Sequence, residues 1–324
     1  MNIDDRFPLD DRHRLIDWYQ QGHRDLPWRA TRDPYRILVS EVMLQQTQAE
    51  RVIPRYHDFL ERFPTIQALA DAPSSDVIRA WSGLGYNRRA LNLQRTARAV
   101  VERHARRMPS DPAVLRDLPG IGPYTAGAIA CFAFEQDVAF VDTNIRRVIH
   151  RVVAGPDVPE PRLSGRTIDE ISRALVPAGK GYAWNQALME LGATICRARM
   201  TACERCPLQD ICVARPVIQP LLADRPRAKA AQPKFETTSR YFRGRIMAAL
   251  SASADSGLTL RELGPLVKVD FQPSDARWLR GLVDGLAHDG LVVRALTVHR
   301  GIAEPAPVYD AGSPDLDARF RLPD

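Results

Sequence analysis

Cysteine is almost absent from most of this 324-residue chain. Of its five cysteines only Cys131 lies outside residues 196–212, "CRARMTACERCPLQDIC". That distribution excludes a disulfide framework, which spreads paired cysteines through a short secreted chain. Long apolar runs are missing too: none approaches the ~18 residues of a membrane-spanning helix, so no membrane association is expected. The N-terminal "MNIDDRFPLDDRHRLIDW" is charged from its fourth residue and has no apolar signal core. A reducing cytoplasm is the expected compartment. There is no internal repeat, no long low-complexity tract, and little of the two-residue alternation that marks strands.

The four clustered cysteines are separated by six, two and five residues. Four thiolates suit zinc or an iron–sulfur cluster. Structural zinc usually draws two separated pairs, whereas here one pair, Cys203 and Cys206, is flanked by the single residues Cys196 and Cys212. One short loop around a single object favours a cubane, and Pro207 directly follows Cys206.

The net charge of +6 fits a polyanionic partner. Helical periodicity dominates residues 10–212, clearest in 50–63, 90–105 and 167–178. Residues 213–234, "VARPVIQPLLADRPRAKAAQPK", hold four prolines and five basic residues against one acidic, which predicts a semi-extended linker. Beyond it, "YFRGRIMAALSA", "TLRELGPLV" and "SDARWLRGLVDGLAHDG" predict three helices, followed by strands in "LVVRALTV" and "ARFRLP". That is the winged-helix order. A small packing domain that never meets nucleic acid fits it equally.

"LRDLPGIGPYTAGAIACFAF" (115–134) predicts helix, tight turn, helix. Gly120 and Gly122 are expected to allow the sharp turn, leaving the amides that open the second helix free to hold a phosphate. Such a helix-hairpin-helix grips nucleic-acid backbone without reading bases. Two carboxylates stand out. Glu41, in "RILVSEVMLQQTQ", shares a helix face with Ile37, Leu38, Leu44 and Gln45, so burial should raise its pKa until it can donate a proton near neutrality. Asp142 precedes the helical "IRRVIHRVV". Thr143 and Asn144 can cap that helix, which would free Asp142 for other work.

The hairpin, an aspartate about twenty residues on and the four-cysteine loop resemble the helix-hairpin-helix DNA glycosylases with iron–sulfur clusters, the endonuclease III superfamily. Within it, "LPWR" (26–29), "SEVMLQQTQ" (40–48), "GLGY" (83–86), "LPGIGPYTAGAI" and "NQALMELGATIC" (185–196) are similar to the MutY-type adenine glycosylases. The resemblance spans residues 10–215. It implies a mainly α, two-domain glycosylase fold: a six-helix domain (32–140) carrying the hairpin, and an iron–sulfur domain joining residues 1–31 to 141–215. A basic Pro-rich linker (216–237) and a small winged-helix-like α+β domain (238–324) follow.

DNA is implied to cross between the two glycosylase domains with its target base flipped out. The resemblance makes Cys196, Cys203, Cys206 and Cys212 ligands of a [4Fe–4S] cluster, with Arg197 and Arg199, like Gly120 and Gly122, facing the DNA backbone. Glu41 would protonate a purine ring nitrogen, Asp142 would stabilise the cationic sugar, and Asn144 would order their network. Tyr124 stands where lyase members carry a lysine, which implies a monofunctional enzyme. Arg24, Leu26, Trp28 and Gln186 would line the adenine pocket, and Gln46 and Tyr86 would fill the stack after flipping. The expected partner is double-stranded DNA with a mispair, bound by a monomer.

Departures qualify the resemblance. The tail is expected to be winged-helix-like rather than the β-rich, nudix-like domain with which longer members read 8-oxoguanine. Ala49 replaces a common valine, Asn87 a second aromatic, and Thr143 a glycine. Three functions therefore stand open: adenine removal opposite 8-oxoguanine or guanine, thymine or uracil removal from mispairs with guanine, and non-catalytic DNA binding. Loss of Glu41 or Asp142 would mark the last, and both residues are present.

Overall fold

The structure, a computed structural model, describes residues 3–158, 163–224, 234–295 and 315–324. It is mainly helical with one small sheet near the C-terminus. Packing divides the chain into two units: Met1–Gln45 with Arg107–Lys229, and Gln46–Arg106 with Ala230–Asp324. These lines fall elsewhere than the expected domain boundaries, because the Glu41 helix, the hairpin and the four-cysteine loop all pack in the first unit.

In the first unit the helix Pro34–Leu44 starts where Asp33 accepts the backbone N–H groups of Tyr35 and Arg36. Its apolar residues pack on the hairpin helix Pro123–Phe134. The helix Gly181–Thr194 packs against both Leu9–Gln21 and Thr143–Val153. At the last of these contacts Gly192 is indispensable: a β-carbon there would lie 2.6 Å from that of Asn144. In the hairpin, Gly120 has φ +78°, a conformation that favours glycine. Gly122 does not need that freedom. It is extended at φ −89° and caps the hairpin helix, with open space where a side chain would be.

In the second unit, helices Ala49–Arg62 and Arg88–Arg103 match the predicted periodicity. The C-terminal residues form helices Ser239–Ala252, Leu260–Val267 and Ala276–His288. Val293–Arg294 and Arg319–Arg321 pair antiparallel, as the winged order requires. Leu258–Thr259 adds a third strand on the other side of Arg319–Arg321, too short for its alternation to show in the sequence. Residues 296–298 of the expected strand lie outside the described residues. The core of these helices includes Ile78 and Leu91, and Arg79–Asp255 and Arg88–Asp289 ion pairs flank it.

The linker expectation needs correction. Arg215–Ala223 is a helix despite its prolines. Pro216 sits in the first turn, where its missing N–H costs nothing, and Ile218 and Leu222 pack on Val158 and Ala214. Residues 225–233 of that stretch lie outside the described residues.

Candidate active site

Three elements of the first unit bring Glu41, Tyr124 and Asp142 together. Glu41 is 4 % exposed on the helix Pro34–Leu44. Burial raises its pKa to about 7, with the nearby Asp142 charge adding to the rise, while a hydrogen bond from Tyr124 opposes it. The Tyr124 hydroxyl is itself pushed well above the ordinary tyrosine range, mainly by burial. Its ring stands edge-on to Phe140 at 5.4 Å, which limits its orientations.

Asp142 does cap the helix Thr143–Val153, contrary to the expectation that Thr143 or Asn144 would relieve it. Its Oδ1 accepts the Ile145 amide at 2.6 Å, and its Oδ2 accepts the Asn144 side-chain amide at 2.9 Å. The two bonds engage one oxygen each and fix the carboxylate's orientation. Burial raises the Asp142 pKa, and these two donors hold it back. A protonable acid and a held carboxylate thus lie at one site with their pKa values pushed up by different balances.

Arg147 links this site to the cysteine loop. Its Nη2 donates to Asn144 Oδ1 and to the Gly192 carbonyl, each at 2.7 Å, and its Nε donates to the Cys196 carbonyl at 2.7 Å. Sequence reasoning missed this residue, whose only signal was its place three positions after Asn144 on a helix face.

Of the expected adenine-pocket residues, Leu26, Trp28 and Gln186 are buried. Arg24 instead forms a bidentate pair with Glu190, its Nε and Nη2 each 3.0 Å from a carboxylate oxygen. Arg29 completes the group, donating to Glu190 at 2.8 Å and to Gln186 Oε1 at 2.9 Å. Burial raises the Glu190 pKa, but the two guanidinium groups outweigh it and hold the carboxyl below its ordinary value. Neither Glu190 nor Arg29 was singled out from the sequence; Gln186 and Glu190 one helical turn apart were the available clue. Gln46 and Tyr86 belong to the second unit. Both are exposed and both have left-handed backbones, at φ 55° and 48°.

The four clustered cysteines line one small cavity with Val148, Leu191 and Arg151. Among the described residues no group of three or more His, Cys, Asp or Glu is arranged around a single metal ion. Four thiols around one shared cavity form a soft donor set. The buried Arg151 stands beside them. Its Nη1 lies 3.5 Å from Cys196 Sγ, and its buried Nη2 has no hydrogen-bond partner among the described residues. Arg197 and Arg199, on the loop after Cys196, are exposed.

Comparison with known proteins places this geometry. Residues 39–174 match the family described as HhH-GPD superfamily base excision DNA repair protein, and the chain belongs to that superfamily. A Mycobacterium tuberculosis protein named adenine DNA glycosylase is 42 % identical over 87 % of this chain and 90 % of its own length. A human protein of the same name is 43 % identical over 63 % of this chain and 39 % of its own. Within the superfamily the chain falls among the adenine DNA glycosylases. A solved thermostable thymine-DNA glycosylase, 32 % identical, aligns with a TM-score of 0.61 over 66 % of this chain and 98 % of its own. A solved endonuclease III shares the fold at 20 % identity, with a TM-score of 0.56 over 65 % of this chain and 96 % of that one.

Proposed function

We propose that this chain hydrolyses the N-glycosidic bond of adenine mispaired with 8-oxoguanine or guanine, acting in the cytoplasm wherever the DNA lies. The observation that carries the proposal is the convergence of Glu41, protonated near neutrality, with Asp142 and Tyr124. Adenine leaves poorly as an anion. Glu41 delivers its proton to a purine ring nitrogen, so the C1′–N9 bond breaks with both electrons departing on a neutral base. The Asp142 carboxylate meets the cationic sugar by charge or by a transient covalent bond. Water then adds to C1′, and its proton restores Glu41. Gln186, Leu26 and Trp28 form the proposed base pocket, and Gln46 and Tyr86 the proposed wedge. Gly120 and Gly122, with Arg197 and Arg199, are proposed to meet the DNA backbone.

The test is base release from duplexes carrying A, T or U opposite G and 8-oxoguanine. Adenine release alone supports the proposal. Thymine release alone would favour the second reading, to which the likeness to a thymine-DNA glycosylase lends weight.

Tyr124 supports a monofunctional reaction, because a phenol forms no Schiff base. Borohydride should therefore trap no substantial DNA adduct, and strands should break only after alkali; efficient trapping would reveal an amine nucleophile. The rate should also fall as pH rises through about 7, where Glu41 loses its proton. It should fall again on the acid side once Asp142 is protonated, at a pH raised from the ordinary aspartate value by burial. A single-turnover profile that stays flat from roughly pH 6 to 9 would remove Glu41 as the acid.

The donor set fits a [4Fe–4S] cluster held by Cys196, Cys203, Cys206 and Cys212. Such a group, when bound, ties the loop together covalently without entering the hydrolysis. Purified protein should be yellow-brown with iron near four per chain, counted by metal analysis. Stoichiometric zinc without visible absorption would overturn that assignment.

A further inference from the structure

The C-terminal helices hold a contact that the proposed chemistry does not use. Tyr86 is 44 % exposed and sits at φ 48°, a strained backbone for a residue with a β-carbon. Its loop is pinned from below. Arg89 Nη2 donates to the Leu84 and Gly85 carbonyls at 3.2 and 3.0 Å and to Thr47 Oγ1 at 3.2 Å, and Trp81 Nε1 donates to the Gly85 carbonyl at 3.2 Å. The ring itself is held by charge: the Arg240 guanidinium lies 4.3 Å from its centroid, and that of Arg89 lies at 5.6 Å.

Arg240 occupies the first turn of the helix Ser239–Ala252, is exposed, and has no ion-pair partner among the described residues. Its helix is anchored through Ile246, Met247 and Leu250 in the core shared with Ile78 and Leu91. Asp289, which pairs with Arg243 of the same helix, also pairs with Arg88, two residues after Tyr86. A fixed cation over an aromatic face is an attractive contact that leaves the ring edge open.

We infer that Arg240 is a positioning residue for Tyr86: the C-terminal helices hold its guanidinium over the ring and fix the attitude in which Tyr86 enters the base stack. The inference rests on Tyr86 serving as a wedge. It gives the tail a role in base excision that requires no groove contact of its own.

The test is a double-mutant cycle in the full-length protein on a mispaired duplex. 2-Aminopurine beside the target reports stack filling, and single-turnover rates and affinity are read alongside. Arg240→Ala should slow excision or weaken mispair binding roughly three- to tenfold and raise the 2-aminopurine signal. Arg240→Lys should recover part of the loss, and melting temperature should stay unchanged because Arg240 buries no core surface. Tyr86→Ala should lose more, and adding Arg240→Ala to it should cost nothing further. Additive losses would overturn the inference and leave the wedge standing. So would a loss that Lys does not rescue and that tracks a lower melting temperature. An unchanged fluorescence in Tyr86→Ala would overturn the wedge and the inference together.

Discussion

Glu41→Gln is expected to abolish adenine release while fold and mispair binding persist. The amide keeps the shape of a side chain only 4 % exposed and still accepts from Tyr124, but it has no acidic proton to give. The loss in single-turnover rate should reach at least the roughly 10²–10⁴-fold of general acid catalysis. A stability measurement separates this from misfolding, with a definite sign. The folded pKa of about 7 lies above that of an ordinary carboxyl, so between those values the folded state holds a proton that the unfolded state has released. Stability is therefore lost as pH rises through that window, by up to about 3 kcal/mol. Glutamine removes that cost, so the dead variant should melt higher than the native protein above pH 7. Asp142→Asn should also be dead, because no charge meets the cationic sugar. The two losses should not sum, since both groups serve one transition state. Near-normal excision by Glu41→Gln would overturn the mechanism.

Such a site was legible in the sequence where its chemistry follows from local pattern. Glu41 flanked by apolar residues at helical spacing implied a buried acid, and Gly120 implied a tight turn before a helix start. What the sequence hid depended on distant partners. Nothing local tells that Glu190 meets Arg24 and Arg29 from more than 160 residues away, or that Arg147 spans the space between Asn144 and Cys196. The capping role of Asp142 was hidden because three adjacent residues could all cap, and the choice rests on which side chain reaches the Ile145 amide. The prolines of Arg215–Ala223 suggested extension, yet burial of Ile218 and Leu222 outweighed them. In the tail, helix spacing was readable, whereas the surface it covers, Ile78 and Leu91, could not be read from its own pattern.

Glu190→Ala should be the most damaging single change to stability outside the apolar core. The Glu190 and Arg29 side chains are only 2 % and 7 % exposed, and Arg24 shares the same carboxylate. Removing the carboxylate strands the Arg29 guanidinium in a poorly hydrated place, a change that costs about 3–5 kcal/mol when one partner of a buried pair is deleted. Thermal melting should fall by on the order of 10 °C. Glu190→Gln should cost less, because the amide oxygen still accepts one hydrogen bond while leaving the charge uncompensated. The native pair also sets a direction with pH: a depressed carboxyl contributes stability above its ordinary pKa and loses it as pH falls through the folded value. Both variants should blunt that acid-side loss. The consequence reaches the proposed base pocket, since Arg29 holds Gln186 Oε1 at 2.9 Å. In conditions where Glu190→Gln remains folded, adenine excision should therefore weaken more than binding of undamaged DNA. Equal losses in the two would show that this charged group supports only the fold.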